Sequence, residues 1–582
     1  HGVRDMAPRY SPDGCWIAFL RAESGGKPQL HVLAAGGGDA RLLTDLPLGA
    51  GAPAWAPDSA AIAFTARIPE PGRYGQDDKI TADKEPPRRI TGLRYRLDDV
   101  GFLADRREHV HVVELDDGDV PPEARQVTDG DFDHADVVWS PDGQWLAFVS
   151  ARHEGREHDL VRDIFLVRPD GSDLRQLTDT SIWLASPAFT GDGATVVALG
   201  EDPGPDLDRW AARNGGLWSV AVDERGRPHR LTDEELVHAV GERIVVTGSG
   251  VLTTVENRGA VDLLSVPLDG AEPTTLLAGR QRVTCFDTAS GTLVVVVDDD
   301  VSMPELAAVR DRTVDRLTHF TARLAEHTTV RPITELAASA PDGYPVHGFL
   351  VRPEGDGPHP VLLMIHGGPY TQYGWTVFDE AQVYAGAGYA VVYGNPRGSS
   401  GYGQAHGEWI VGDVGERSAP DLHALLDAAL ERPDLDASRV GVLGGSHGGY
   451  MTSWLIGHSD RFRAAVSERA VNAIDSFEGT SDIGWGFADN LYGRHPDERR
   501  RQSPLSYVDD IRTPLLIVHS EQDWRCPLEQ AQRLYVALRK RGATVEMLLF
   551  PGEGHELSRR GLPSHRVARF EAILDWFGRY LG

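Results

Sequence analysis

The sequence predicts two architectures in one chain, a β-propeller followed by a parallel α/β sheet. Three observations carry this prediction: two short phrases recur through the first 320 residues, strands begin to alternate with helices near residue 330, and the chain has 582 residues. A chain of that length exceeds what one hydrophobic core organises. We expect the change between residues 318 and 331, with the propeller domain in residues 1–325 and the α/β domain in residues 326–582.

The first phrase is an aromatic residue, then Ser or Ala, Pro, Asp and Gly or Ser, followed by an apolar strand. Its copies are Tyr10–Gly14, Trp55–Ser59, Trp139–Gly143 and a weaker Phe189–Gly193. Pro, Asp and Gly in this order favour a tight turn. Each copy therefore predicts a turn that opens a strand.

The second phrase, an apolar residue followed by Thr and Asp, closes each unit. Its copies are Leu43–Asp45, Val127–Asp129, Leu177–Asp179 and Leu231–Asp233. The last three recur at intervals of 50 and 54 residues, and the first interval is 84 because a polar insertion occupies about 68–105. Such a period with several short strands is typical of propeller blades. Six blades are visible, and a β-sandwich or a run of small all-β modules is the alternative.

Strands alternate with helices in the second half, which predicts a parallel sheet covered on both faces. The predicted helices include 419–431 and 528–541. The predicted strands are Pro360–Ile365, Tyr389–Tyr393, Val440–Leu443, Arg463–Ser467, Pro514–Val518 and Thr544–Leu549.

Composition narrows the functional classes. The formal charge of −29 opposes binding to nucleic acids and to anionic membranes, which carry the same sign of charge. Three widely separated cysteines suit a reducing compartment, and no apolar run is long enough to span a bilayer. The first residues hold no apolar signal core. We expect a cytoplasmic protein without metal or organic cofactor, and leave homo-oligomerisation open.

The strongest local signal is the segment from Val440 to Met451, in which a strand leads into Gly444-Gly445-Ser446-His447-Gly448 and then a helix. Gly-x-Ser-x-Gly in this context is a nucleophile elbow, which exposes its serine on a strained strand-to-helix turn. Without the context, an ordinary glycine-rich turn would be the better interpretation. Ser446 is therefore the candidate nucleophile of an α/β-hydrolase domain.

Two partners for Ser446 follow in the chain order that this fold uses, Ser, Asp, His. Asp523 comes after the predicted strand 514–518, and His555 lies on a glycine-bracketed loop after the strand 544–549. His555 would take the serine proton while Asp523 fixes the imidazole tautomer. Glu521 is an alternative candidate for the carboxylate that orients the imidazole. A helix-capping role is the alternative interpretation of Asp523.

When a serine attacks a carbonyl, the tetrahedral intermediate carries an oxyanion that hydrogen-bond donors beside the serine must stabilise. His366-Gly367-Gly368-Pro369 follows a predicted strand, and the backbone N–H of Gly368 is one candidate donor. The N–H of His447, next to the nucleophile, is the other. A plain turn is the alternative for the glycine pair.

Taken together, these motifs resemble the prolyl oligopeptidase or S9 family of serine peptidases, and its acylaminoacyl peptidase branch in particular. The resemblance rests on the His366–Pro369 loop, the segment Asn395–Gly403 and the elbow with its following Gly449-Tyr450. It implies an oligopeptidase whose propeller admits short peptides and excludes folded proteins. It also implies a seventh blade, either upstream of His1 or too degenerate to read.

The resemblance also suggests substrate-binding residues. Arg525 matches an arginine that holds a substrate carbonyl, a task that suits a guanidinium fork, although a surface salt bridge is an alternative. Phe477, Trp485 and Phe487 match a segment that lines the pocket for the residue before the scissile bond. Core packing explains these aromatic residues equally well.

Three other functions compete with this interpretation. A dipeptidyl aminopeptidase of the same family needs carboxylates that clamp a free amine, and Glu234-Glu235 is the obvious pair, although a solvated turn is its simpler interpretation. A carboxylesterase would use the same triad. A propeller scaffold with an inactive hydrolase domain is the non-enzymatic alternative.

Overall fold

The computed structural model of this chain describes residues 4–23, 26–74, 80–115, 118, 121–209 and 211–582. Residues 75–79 of the predicted insertion lie outside the described residues. The strands up to residue 316 are almost all antiparallel, and one large sheet with helices on both faces follows.

Four sheets of four antiparallel strands come first. The strands of the first two sheets are β1 (Arg4–Tyr10), β2 (Trp16–Ala22), β3 (Gln29–Ala34) and β4 (Arg41–Leu42), then β5 (Ala54–Trp55), β6 (Ala61–Arg67), β9 (Glu108–Glu114) and β10 (Arg125–Gln126). The insertion between β6 and β9 forms a 3₁₀ turn (Ala82–Lys84) and a hairpin of β7 (Arg96–Leu97) and β8 (Gly101–Phe102). The next two sheets are β11 (His134–Trp139), β12 (Leu146–Ser150), β13 (Asp163–Val167) and β14 (Arg175–Gln176), then β15 (Trp183–Phe189), β16 (Thr195–Glu201), β17 (Gly216–Ala221) and β18 (His229–Arg230).

Two further groups of four strands share one eight-stranded sheet, joined by a single parallel pair, Val261 with Arg282. They are β19 (His238–Thr247), β20 (Gly250–Asn257), β21 (Ala260–Val266) and β22 (Thr274–Leu277), then β23 (Arg282–Ala289), β24 (Thr292–Asp298), β25 (Glu305–Arg310) and β26 (Thr313–Arg316). The described part of the all-β region therefore contains six groups of four strands.

The first repeated phrase closes a turn through its own side chains. Ser140 Oγ accepts a hydrogen bond from the Trp145 N–H (2.9 Å) and donates one to Asp142 Oδ1 (2.6 Å), which also accepts from the Gln144 N–H (3.0 Å). Ser11 with Asp13, and Thr190 with Asp192, repeat this arrangement. Serine or threonine and aspartate recur because they replace backbone partners in the turn.

The second phrase ties the last strand of a group to the strand before it. The threonine Oγ1 accepts a backbone N–H of that neighbouring strand in each of these pairs: Thr44 from Leu30 (2.9 Å), Thr128 from Val110 (2.9 Å) and Thr178 from Ile164 (3.1 Å). The tryptophans of the first phrase link successive sheets, since Trp139 Nε1 donates to Ala54 O (3.0 Å) and Trp55 Nε1 to Arg9 O (3.0 Å).

The C-terminal sheet has eight strands in the order β27-β28-β30-β29-β31-β32-β33-β34. Their bounds are β27 (Ile333–Ser339), β28 (Pro345–Val351), β29 (His359–Ile365), β30 (Ala390–Asn395), β31 (Leu435–Gly445), β32 (Ala464–Glu468), β33 (Leu515–Ser520) and β34 (Val545–Phe550). All pairs from β30 to β34 are parallel, whereas β27 and β28 extend the sheet in antiparallel pairing.

Helices flank this sheet and connect its strands. They are α1 (Phe320–Ala325), α2 (Asp379–Gly386), α3 (Gln404–Glu408), α4 (Val414–Leu430), α5 (His447–His458), α6 (Ile474–Thr480), α7 (Gly484–Tyr492), α8 (Pro496–Arg501), α9 (Leu528–Lys540), α10 (Leu557–Arg560) and α11 (Pro563–Leu581), with a 3₁₀ turn at Pro504–Tyr507. No helix in the described ranges is both long and apolar enough to cross a membrane.

Both faces of the C-terminal sheet are buried. In β29, Val361, Leu363 and Ile365 pack into one apolar cluster, and Leu362 and Met364 pack into another on the opposite face. Such double burial explains the nearly continuous apolar runs of these strands. The six predicted strands are confirmed, and their C-terminal ends agree within two residues with those of β29 to β34. The antiparallel strands β27 and β28 were not predicted.

Candidate active site

Ser446 lies at the turn between β31 and α5 with φ 60° and ψ −119°, a conformation that costs energy for any residue with a side chain. Its backbone N–H donates to Glu468 O (2.9 Å) on the neighbouring strand β32. A Cβ atom on Gly448 would lie 2.0 Å from Ile365 O, and one on Gly444 would lie 2.6 Å from the same oxygen. Only glycine fits at these two positions, so the motif allows the turn to pack against β29.

Ser446, His555 and Asp523 form a continuous chain of hydrogen bonds. Ser446 Oγ is 3.1 Å from His555 Nε2, and His555 Nδ1 is 2.8 Å from Asp523 Oδ2. Asp523 Oδ1 accepts the N–H of Cys526 (2.7 Å), which fixes the carboxylate from its other side. Asp523 is 2% exposed and His555 is 5% exposed. The structure thus brings together three residues separated by up to 109 positions in the sequence.

The competing residues lie elsewhere. Glu521 is exposed on the same loop as Asp523, and the imidazole of His555 contacts the Asp523 carboxylate instead. His565 is the only histidine that follows His555 in the sequence and so the other candidate for its role, and it pairs through Nδ1 with Glu553. Neither residue takes part in the hydrogen bonds that connect Asp523 and His555 to Ser446.

The glycine pair after β29 runs beside the serine. A Cβ atom on Gly367 would lie 3.5 Å from Ser446 Cβ, and Gly368 has φ 112°, in the region that favours glycine. His447 is the first residue of α5, so its N–H has no partner one turn earlier within the helix. The backbone N–H groups of Gly368 and His447 therefore belong to the two segments that flank Ser446.

The segment Asn395–Gly403 supports the glycine loop. Asn395 exchanges two hydrogen bonds with the backbone of Tyr373 (2.8 and 2.9 Å), and His366 Nε2 is 3.0 Å from Ser399 Oγ. The Ser400 N–H donates to Thr371 O (3.1 Å). These contacts explain why the two motifs occur together in one sequence.

The predicted substrate-binding residues have different environments. Arg525 is one-third exposed, and its Nε and Nη2 pair with Asp482 at 2.8 and 3.1 Å. Trp485 lines a cavity that adjoins this ion pair. Phe477 is 1% exposed and packs against Phe487, with ring centroids 6.3 Å apart, which favours the core interpretation for Phe477.

The insertion hairpin β7–β8 reaches the same site, a contact that was not predicted. Asp98, at its tip, accepts the N–H of Trp524 on Oδ1 (2.7 Å) and the N–H of His555 on Oδ2 (3.1 Å). Its own N–H donates to Asp482 Oδ2 (2.8 Å). One carboxylate from the all-β region thus fixes the loops that carry Asp523 and His555.

The environment of His555 favours its neutral form. Burial lowers the pKa of the imidazole, and the positive charges of Arg469 and Arg525 lower it further. The carboxylates of Asp98 and Glu556 act in the opposite direction. Neutral imidazole is the form that can accept a proton.

Comparison with known proteins identifies the family. Residues 375–582 match the family model described as the prolyl oligopeptidase family. A Bacillus subtilis protein named uncharacterized peptidase YuxL is 32% identical over 607 residues, which cover this whole chain and 91% of that protein. The chain belongs to the prolyl oligopeptidase family. The resemblance stated from the sequence motifs is thereby confirmed.

Within the prolyl oligopeptidase family, the chain lies near the acylaminoacyl peptidase branch. Human acylamino-acid-releasing enzyme is 33% identical over 239 residues, which cover 38% of this chain and 32% of the human protein. The structure of Pyrococcus horikoshii acylaminoacyl peptidase superimposes with a TM-score of 0.84 at 24% identity, covering 99% of this chain and 89% of that one. The second comparison shows a shared fold.

Proposed function

We propose that this member of the family is a serine peptidase that hydrolyses short peptides, as an acylaminoacyl peptidase or oligopeptidase. The observation that carries the proposal is the hydrogen-bonded chain from Ser446 through His555 to Asp523. Such a chain activates a serine hydroxyl, which is otherwise a weak nucleophile at neutral pH.

The reaction would proceed in two steps. His555 Nε2 takes the proton of Ser446 Oγ as the oxygen attacks the scissile carbonyl, and then gives that proton to the leaving amine as the C–N bond breaks. Water, deprotonated by the same nitrogen, attacks the carbonyl of the resulting acyl-enzyme. The C–Oγ bond then breaks, His555 Nε2 returns the proton to Ser446 Oγ, and the acid is released. Asp523 keeps the proton of the neutral imidazole on Nδ1 and stabilises the imidazolium formed in each step.

The N–H groups of Gly368 and His447 would bind the oxyanion of each tetrahedral intermediate. Fixed donors of this kind contribute roughly 10²- to 10³-fold each to the rate. The support for this assignment is that both groups belong to the segments flanking Ser446, and that the Asn395–Gly403 segment holds the glycine loop in place.

We further propose that residues 1–325 form a propeller domain and residues 326–582 the catalytic domain. The six groups of four antiparallel strands support a propeller, as do the tryptophan bonds between successive sheets. A propeller over the active site would select substrates by size. Arg525 and the aromatic side chains of Trp485 and Phe487 would contact the peptide beside the scissile bond.

A dipeptidyl aminopeptidase is less well supported, because both of its candidate clamp residues have partners within the chain. Glu234 pairs with Arg213 (2.9 Å), and the Glu235 carboxylate accepts the Ala405 N–H (3.2 Å). A carboxylesterase would use the same chemistry, so we expect ester hydrolysis as a side reaction.

The test compares one N-acetylated amino-acid anilide with one free-amine dipeptide anilide, using wild-type protein and the Ser446→Ala variant. We expect faster hydrolysis of the acetylated substrate and a roughly 10⁶-fold loss of turnover in the variant. A fluorophosphonate probe should label only the wild-type protein. A variant that keeps more than a hundredth of the activity would contradict the assignment of Ser446, and a preference for the free amine would indicate a dipeptidyl peptidase.

A further inference from the structure

A cavity of about 350 Å³ lies between the all-β region and the C-terminal domain, beside the candidate active site. Leu97 of the insertion hairpin lines it, and the next residue, Asp98, accepts the N–H of His555. Asp482 lines it from the opposite domain and holds Arg525. Both contacts connect the cavity wall to the loops that carry His555 and Arg525.

The cavity wall is rich in arginine. Two of its arginines, Arg67 and Arg107, are neutralised by ion pairs with the wall carboxylates Glu108, Asp131 and Asp133. Four others make no ion pair within 4 Å in the described part of the chain: Arg94, Arg96, Arg156 and Arg162. Two further carboxylates line the wall: Asp482 pairs with Arg525, and Glu157 Oε2 accepts the Leu93 N–H (3.0 Å).

These arginines are held by aromatic rings instead of by carboxylates. The distances from guanidinium carbon to ring centroid are 5.2 Å for Arg94 over Trp485, 5.2 Å for Arg96 over Trp524, 4.9 Å for Arg156 over Phe132 and 5.8 Å for Arg162 over Trp183. Stacking occupies the face of a guanidinium and leaves its edge, with the N–H donors, for another partner.

Several of those donors are buried without an acceptor. Nε and Nη2 of Arg94 and Nε of Arg96 have no hydrogen-bond partner among the described residues, and Arg96 uses Nη2 to donate to Thr480 O. Burial lowers the pKa of Arg94 to about 10, and repulsion from Arg162 contributes. Buried donors without acceptors are costly, so an anionic partner would stabilise this wall.

We propose that this cavity binds a carboxylate of the substrate, so that the enzyme prefers peptides with an acidic side chain near the scissile bond. The inference rests on the proposed peptidase function. The two oxygens of a carboxylate can accept hydrogen bonds from Nε and Nη2 of Arg94 at the same time. Apolar contacts for the methylene groups of a glutamate side chain would come from Leu103, Phe132 and Trp485. Because the whole chain carries a charge of −29, this preference must come from the local cluster and not from the overall field.

The test uses four N-acetylated tripeptide anilides that end in Phe and carry Glu or its neutral isostere Gln at the first or the second position. At one of these positions we expect kcat/KM to be roughly 10- to 100-fold higher for Glu, the range of a charge-assisted hydrogen bond, and to fall toward equality at high salt. Arg94→Gln should lower the ratio of Glu to Gln rates, and Arg162→Gln should do the same if the first variant folds poorly. Arg323→Gln, on the exposed helix α1, is the matched control and should keep the wild-type ratio.

Calorimetric titration of the Ser446→Ala variant with the corresponding peptide amides separates this inference from the proposed function. Equal or slower reaction of Glu substrates at both positions by an active enzyme would overturn the carboxylate site and leave the peptidase proposal intact. If no anilide is hydrolysed, tighter binding of a Glu amide still supports the site, and equal binding of Glu and Gln amides overturns it.

Discussion

Arg469 places a positive charge directly behind the nucleophile turn. A Cβ atom on Gly445 would lie 2.7 Å from its guanidinium carbon, so Gly445 is small because the arginine packs against it. Arg469 is 8% exposed, follows β32 with φ 36°, and makes no ion pair within 4 Å in the described ranges. Its charge is one cause of the lowered pKa of His555.

Removal of this charge should move the acid limb of the pH profile. Because His555 must be neutral to act as a base, its lowered pKa keeps kcat/KM high below pH 6.5, the ordinary pKa of histidine. Arg469→Gln removes a charge that disfavours the imidazolium, so the limb should shift to higher pH. Arg463→Gln, exposed at the far end of the same strand, should leave it in place. A limb that stays fixed or moves to lower pH in Arg469→Gln would show that the arginine has no electrostatic role.

Asp523 and Glu521 can be distinguished by single substitutions. Asp523→Asn should lower kcat by about 10⁴-fold, since the amide favours the wrong imidazole tautomer. Glu521→Gln should remain close to wild type, because the Glu521 side chain is exposed outside the hydrogen-bonded chain. Steady-state rates on one acetylated anilide decide the matter, and a larger loss in Glu521→Gln would reverse the assignment.

At the scale of elements, the hairpin β7–β8 adds a residue of the all-β region to the candidate site. Asp98→Ala removes the carboxylate that accepts the His555 and Trp524 N–H groups. The loops that carry His555 and Asp523 would then be held less firmly in position. We expect kcat to fall roughly 10- to 100-fold with a smaller change in KM, since loss of positioning acts on the transition state.

Matched variants show whether Asp98 acts by position. Asp98→Asn keeps one acceptor oxygen and should recover part of the lost rate. Asp99→Asn is the control, because residue 99 has φ 59°, which asparagine tolerates, and its side chain is exposed. An Asp98→Ala variant with the kcat of wild type would mean that the hairpin only packs against the loops.

The sequence predicts those features that depend on local chemistry. The turn at Ser140–Asp142 and the elbow at Ser446 are closed by residues a few positions apart, so their motifs can be read directly. The contact between Asp98 and His555 joins residues 457 positions apart. The sequence of the insertion contains no motif from which this contact could be predicted. Only the assembled sheets bring the hairpin to that place, and β27 and β28 escaped prediction because their antiparallel pairing follows no repeated motif.

At the scale of the whole molecule, contacts between the two regions surround the candidate site. On one side the insertion hairpin holds the loops of Asp523 and His555 through Asp98, and on another Tyr370, two residues after Gly368, donates to Asn214 of the all-β region. Ser400, in the segment that supports the glycine loop, donates to Glu256. We expect these contacts to restrict the access of a long or folded substrate to Ser446.

Cleavage should therefore depend on substrate length. One acetylated recognition sequence, placed in a peptide of about six residues and at the centre of a peptide of about forty, presents the same scissile bond with different bulk. We expect kcat/KM to be at least tenfold lower for the long peptide, measured by mass spectrometry of the products. The long peptide should be disordered, because a lower rate then reflects restricted access to Ser446 and not the stability of a folded substrate. Equal rates would mean that the all-β region opens freely, and the proposal of size selection would then fail while the assignment of Ser446, His555 and Asp523 would stand.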